Sequence, residues 1–244
     1  MLAAATPWLV VLLAMVLLIP LSRRLGWSRQ RLGAQLLVAG WGNTSFVGLP
    51  MVTAYAGAQF AGLVLFIDLF DSYLALSVLG IAIATDCSDT TFRWSTVARR
   101  IVTFPPFLAI VIALATNHLD RPDWLEGQLQ SLAATLTPLA LAAAGYAIRL
   151  DRLMGRLAPL ITGLGYRLLL APAAMLLFYV ALGSAHDPVA RVTIFEMAMP
   201  PMLEASIIAI DHDLEPDLVA LMIEIGIPLS LVSAPPWWWL TGMI

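Results

Sequence analysis

The chain has no lysine and a single cysteine, Cys87, among its 244 residues. One cysteine excludes an intrachain disulfide and any cysteine-built metal or iron–sulfur site. All 13 basic residues are arginine, and no glycine-rich loop leads into a basic phosphate ligand. Charge is scarce as well, at 12% of residues against about 25% in a soluble domain, so nothing resembles the basic footprint of a nucleic-acid binder. The histidines, His118, His186 and His212, lie far apart in sequence and form no metal-ligating constellation. No His-Glu-x-x-His pattern and no serine nucleophile turn occurs. No cofactor and no metal site is expected.

What fills the chain instead is apolar. Hydrophobic residues make up 60% and the mean hydropathy is +0.87, the composition of a membrane protein. A helix needs roughly 20 apolar residues to cross a hydrocarbon core about 30 Å thick. By that measure about eight transmembrane segments are expected, at 3–21, 33–56, 60–84, 101–117, 129–148, 162–183, 189–210 and 218–240. The first lacks a basic leader, and Ser22-Arg23-Arg24 follows it where a small-residue cleavage site would stand, so it reads as a span.

Arginine placement sets the expected orientation. Arg23, Arg24, Arg29 and Arg31 follow the first segment; Arg93, Arg99 and Arg100 follow the third; Arg149, Arg152 and Arg156 follow the fifth. The alternate links hold only Arg121 and Arg191. The positive-inside rule then puts both termini outside the cytoplasm, and the arginine-only basicity and compact links suggest a bacterial inner membrane. The acidic link "DHDLEPD" (211–217) is a neutral vote on the cytoplasmic side. Arg167, near the cytoplasmic start of the sixth segment, is expected to snorkel, and Trp237, Trp238 and Trp239 to form an interfacial belt.

Two segments are interrupted in the middle. The second carries "GNTSFVGLPM" (42–51) and the seventh "EMAMPPMLEAS" (196–206), with Pro200 and Pro201 adjacent. Proline removes a backbone donor and clashes with the preceding turn. In lipid the freed groups cost several kcal/mol each unless protein or a wet cavity satisfies them. Segments 1–3 and 6–8 both read plain–interrupted–plain, and the arginine count gives them opposite orientation. Such an inverted repeat with a discontinuous helix in each half points to a transporter site near the midplane. A pair of simple proline kinks is the alternative.

At these residues the sequence resembles the auxin efflux carrier family, which includes plant PIN-type auxin carriers and bacterial carriers assigned to malonate or other carboxylates. The resemblance rests on "GNTSFVGLPM", on "FIDLFDSYL" just after it, on "MAMPPML", and on "GIPLSLVSAPPWW" in the last span. It implies an all-α polytopic membrane protein with an inverted-repeat fold similar to the sodium–proton antiporter type, its two broken helices crossing. Ten spans are usual there, two repeats of five. On that pattern residues 1–86 are three spans of a first repeat with the helix broken at 43–50, 87–100 a cytoplasmic link, and 101–244 a five-span second repeat broken at 199–201. Two helices ahead of the first segment look absent, which leaves open a truncated form or one that relies on a partner.

The candidate substrate site comprises Asn43, Thr44, Ser45, Gly48, Pro50, Met199, Pro200 and Pro201. Pro50 is expected to open a second half-helix whose N-terminus offers free N–H groups and partial positive charge to a carboxylate. By the resemblance Asn43 contacts substrate; alternatively it only satisfies broken backbone near Pro200. The candidates for proton or ion coupling are Asp68, Asp71, Glu204 and Glu224. Asp68 and Asp71 share a helix face. With Glu196, expected near an interface, these five acids would cost roughly 12–18 kcal/mol if exposed to lipid, so they must face inward. Two acids that fix helix packing through hydroxyls or arginine are the alternative to proton carriers. Glu204, one turn past Pro201, can complement its own helix dipole.

The expected function is secondary transport of a small organic anion by alternating access, with the lipid bilayer as surroundings, no nucleic-acid partner, and a homodimer as one open assembly. The alternatives are a non-transporting remnant or assembly partner, and an intramembrane aspartyl protease using Asp68 or Asp71. The protease fits poorly, because both acids share one helix and glycine flanks neither.

Overall fold

The computed structural model describes residues 2–88, 94–95, 103, 105–116, 118–119, 122–146 and 155–243. Most of the 87–100 link, with Arg93, Arg99 and Arg100, lies outside the described residues, as do Arg121, Arg149 and Arg152. Of Asp71 only the backbone is described.

The described residues are helical throughout, with one isolated backbone bridge as the only extended pairing among them. Helix α1 (Leu2–Leu25) leads into α2 (Arg29–Gly40), whose first turn is capped by the Ser28 hydroxyl accepting from the Arg31 amide. After a break at Trp41–Asn43 a π-helical turn, Thr44–Gly48, runs straight into α3 (Leu49–Tyr55). The chain returns through α4 (Ala61–Asp68), a π-helical stretch (Leu69–Gly80) and α5 (Ile81–Cys87). Helices α6 (Pro105–Ala115) and α7 (Asp123–Tyr146) follow. Next come α8 (Leu157–Gly165), a π-turn (Tyr166–Leu170) and α9 (Ala171–Ala181), which form one continuous rod. The chain closes with α10 (Pro188–Met197), α11 (Leu203–Asp211) and α12 (Pro216–Met243).

Three of these stretches, Leu2–Leu25, Leu157–Ala181 and Pro216–Met243, are long and apolar enough to cross a membrane. They match the first, sixth and eighth expected segments. The second and seventh are each divided in two, as the polar and proline clusters anticipate. Helix α6 lies within the fourth expected segment, 101–117, of which residues 101, 102, 104 and 117 are outside the described residues. Its described side chains, Leu108, Val111, Ile112 and Leu114 among them, are exposed.

The core gathers on the two divided helices. Leu37, Val38 and Ala39 of α2, Ile194 and Phe195 of α10, Ala205 and Ala209 of α11, and Leu218 and Leu221 of α12 are all fully buried. At about 25 cal/mol per Å² of apolar surface, this gathering is a strong driving force in water. Between helices already in lipid, packing and hydrogen bonds must supply it. Several such bonds clamp α1 to the α8–α9 rod: Tyr166 donates its hydroxyl to the Val10 carbonyl, and the Thr6 and Tyr179 hydroxyls meet at 2.9 Å. On the arginine-rich side Arg31 pairs with Glu215 at 2.9 Å and Arg156 with Asp217 at 2.8 Å. The acidic 211–217 link therefore lies beside the arginine-rich links.

Candidate functional site: the crossing of the divided helices

The two breaks meet. The Asn43 amide donates to the Pro200 carbonyl at 2.8 Å, and the Met202 amide donates to the Trp41 carbonyl at 3.2 Å, closing an antiparallel bridge between Gly42 and Pro201. The residue types explain the register. Pro200 and Pro201 have no N–H to continue α10, so the nearest acceptor and donor, Pro200 O and Met202 N, pair sideways with the other break. Here the second break falls where the sequence puts it, at Ala198–Met202. The first falls earlier than expected, at Trp41–Asn43. Thr44, not Pro50, opens the second half-helix, and the chain stays helical through Val47–Pro50. The π-turn explains why. Its wide i→i+5 bond from the Leu49 amide to the Thr44 carbonyl relaxes the helix just ahead of Pro50 and absorbs the proline that would otherwise break it.

Arg167 lies at the crossing, not snorkelled to a surface. It is 1% exposed. Ten residues into the α8–α9 rod, it sits roughly 15 Å from the rod's start, half the thickness of a hydrocarbon core. Its guanidinium donates to three main-chain carbonyls: Met199 at 2.9 Å, Met197 at 3.1 Å and Gly40 at 3.2 Å. These are carbonyls freed at the C-terminal ends of α2 and α10, where the helix dipole is negative, so one cation serves both ends. The planar fork of donors suits arginine to that task. Gly42 makes room: a Cβ there would stand 2.2 Å from the Arg167 Nη2.

Glu196 is also at the crossing and is fully buried, which corrects its expected place near an interface. It occupies the last turn of α10, and its carboxylate lies on Gly48, where a Cβ would stand 2.3 Å from Oε2. Arg167 holds the carbonyl of the next residue, Met197. A buried cation and a buried carboxylate therefore flank the bridge, the first against carbonyl ends and the second against the start of the 44–55 half-helix.

The sequence candidates divide as follows. Asn43 is 2% exposed; its Oδ1 accepts from the Phe46 amide at 3.0 Å and caps the half-helix, while its Nδ2 is buried with no hydrogen-bond partner. Thr44 is fully buried and donates to Asp68 Oδ1 at 2.6 Å. Ser45 and Pro50 are half-buried. Gly48, Met199, Pro200 and Pro201 are buried within the crossing. Gly226 of α12 presses on Pro201 and Leu164, where a Cβ would stand 2.7 Å from the proline ring. Glu204 is half-buried in the first turn of α11, placed to complement its dipole. Glu224 is 8% exposed on α12. Among the described residues no group of histidine, cysteine or acids has the arrangement of a metal site.

A cavity of about 560 Å³ opens between α1, α2 and α5 near Arg23, Arg29 and Asp86, and none of its lining residues belongs to the crossing. The three tryptophans differ in their surroundings. Trp239 is 64% exposed, but Trp237 donates its indole N–H to the Leu168 carbonyl at 3.0 Å, within the π-turn of the rod. Trp238 stacks with Phe195 and Tyr55 and carries Arg191 over its ring at 3.7 Å.

No family model matches the chain. A Methanothermobacter thermautotrophicus protein named as an uncharacterized transporter is 27% identical over 219 residues, covering 88% of this chain and 70% of that relative. The chain is similar to a transporter. That similarity, with the long apolar helices, supports a membrane transporter. The two residues that the sequence expectations missed, Arg167 and Glu196, carried a usable signal. Both are ionisable residues inside apolar runs, and such residues mark functional sites by default.

Proposed function

We propose that the chain is a secondary transporter of the auxin efflux carrier type, moving a small organic anion across a membrane by alternating access. The observation that supports this best is the crossing itself: two divided helices joined by the Gly42–Pro201 bridge, with Arg167 across both carbonyl ends. Discontinuous helices are tolerated in lipid where they form a site, and their meeting point exposes peptide dipoles to a solute. A buried Asn43 amide with an unused donor adds a group that a carboxylate can accept from. We place substrate at Asn43, Thr44, Ser45 and Gly48 on one half-helix and at Met199–Pro201 on the other. Asp68 takes a docking role through its Thr44 hydrogen bond, holding the half-helix against α4. The inverted repeat gives the motion: the core carrying both breaks moves against the remaining helices, exposing the crossing to each side in turn.

The test is flux. Purified protein in proteoliposomes is given an imposed gradient of radiolabelled malonate. Uptake above protein-free vesicles that falls when Asn43 is changed to Ala is the expected result. Absence of flux for malonate and for a panel of monocarboxylates, at any imposed pH gradient, would remove the reading. A second reading, a subunit that transports only with a partner, is favoured by α6, whose described side chains, Leu108, Val111, Ile112 and Leu114 among them, are exposed. Flux that appears only after co-reconstitution with a membrane extract supports that version.

A further inference from the structure

Glu196 has no part in the transport reading so far, yet it is the acid most fully enclosed at the crossing. Its carboxylate rests on Gly48, in the turn that starts the 44–55 half-helix, and only a residue without a side chain leaves that space. The same turn is capped by Asn43, whose Nδ2 is buried without a partner. Arg167 donates to the carbonyl of the next residue, Met197, so the crossing holds a buried cation as well. The crossing is thus already furnished with a carboxylate of its own.

We propose that the Glu196 carboxylate, seated on Gly48, occupies the place of the transported anion in the empty site and takes up a proton from solution when that anion enters. This rests on the transport reading and names its coupling group. The step balances: a proton from solution neutralises the carboxylate, the incoming anion replaces its charge, and the net charge of the crossing is unchanged. Two carboxylates sharing one desolvated site repel, so an anion and an ionised Glu196 compete, whereas an anion and a proton bind together.

The other titratable and charged groups on the elements packed around α10 are placed as follows. Asp68 on α4 accepts from Thr44, and Tyr179 on α9 meets Thr6. Tyr55 on α3 lies in the aromatic cluster with Phe195 and Trp238, and Arg191, on α10 itself, lies over Trp238. On α12, Asp217 pairs with Arg156 at the far end and Glu224 is buried two residues before Gly226. Arg23 and Arg24 stand at the end of α1, and Glu204 at the start of α11 beyond the break.

The test uses purified full-length protein and radiolabelled indole-3-acetate, a monocarboxylate ionised throughout the range from about pH 6.5 to pH 8.5. Wild-type affinity is expected to weaken about tenfold per pH unit across that range, one proton per anion. E196Q is expected to bind with affinity independent of pH. As a check that needs no variant, a weakly buffered sample with an indicator dye should record about one proton taken up per anion bound by wild type near neutral pH. A flat wild-type profile, a tenfold slope retained in E196Q, or anion binding without proton uptake overturns the inference while leaving transport standing. Absence of both binding and flux removes the transport reading and this inference with it.

Discussion

Replacing Arg167 with Met is the sharpest perturbation the structure offers. The apolar side chain has a similar length, so little volume is lost, but the three carbonyls of Gly40, Met197 and Met199 lose their donor at mid-depth. Hydrogen bonds to a charged group contribute about 1.5–3 kcal/mol each, and a buried acceptor left bare costs about 1–3 kcal/mol. Three such losses amount to roughly 3–9 kcal/mol, comparable with the whole stability of an ordinary domain at about 5–15 kcal/mol. The expected order of stability is therefore wild type, then R167K, then R167M. Lysine keeps the charge but cannot span three carbonyls with a fixed fork. The assay is the denaturant midpoint of protein in mild detergent, read by intrinsic tryptophan fluorescence, with the monodisperse fraction from gel filtration as a second measure. R167M that unfolds at the wild-type midpoint would refute the assignment of Arg167 as the clamp of both breaks.

Gly48→Ala puts a Cβ 2.3 Å from Glu196 Oε2. Flux should fall at least tenfold, and E196D, with its shorter reach, should restore part of it. Gly165→Ala, at a helical glycine with open space around it, should leave flux unchanged and stabilise by about 0.5–1 kcal/mol. Thr44→Val removes the donor to Asp68 and should lower stability by about 1–3 kcal/mol, while T44S stays near wild type; thermal unfolding in detergent distinguishes them. Arg191→Met removes both the cation over Trp238 and the 2.9 Å bond to its carbonyl, costing about 1–3 kcal/mol and changing tryptophan emission; identical spectra would contradict the contact.

How much of this was legible in the sequence depends on which residue is asked. The Pro200–Pro201 break was legible, because a pair without N–H groups cannot be carried by the ladder of a lone helix. Yet Pro235 and Pro236 stand in the same pairing inside α12, and that helix continues. The difference lies in what surrounds the pair. Arg167 and the bridge to Gly42 hold the first pair open, and both partners come from distant parts of the chain. The first break was misplaced for a related reason. Pro50 looks like the breaker, but a π-turn accommodates it, and the chain parts at Trp41–Asn43, where Gly42 lets a guanidinium and a second backbone approach. Thr44 with Asp68 was within reach of the pattern, since a hydroxyl partner was the alternative reading for an inward-facing Asp68. Glu196 was misjudged because its place six residues before α10 meets α11 reads equally well as a rim or a centre until the fold brings Gly48 beneath it.

The Arg167 clamp also bears on how the protein is made. Gly40 is synthesised 127 residues before the side chain that satisfies it. At about 5–20 residues per second, the first divided helix waits roughly 6–25 seconds in or beside the membrane with its central peptide groups bare. An isolated N-terminal half has no native means of shielding them, so during biogenesis that half needs the insertion machinery, water, or a chaperone as a temporary host until the later half arrives.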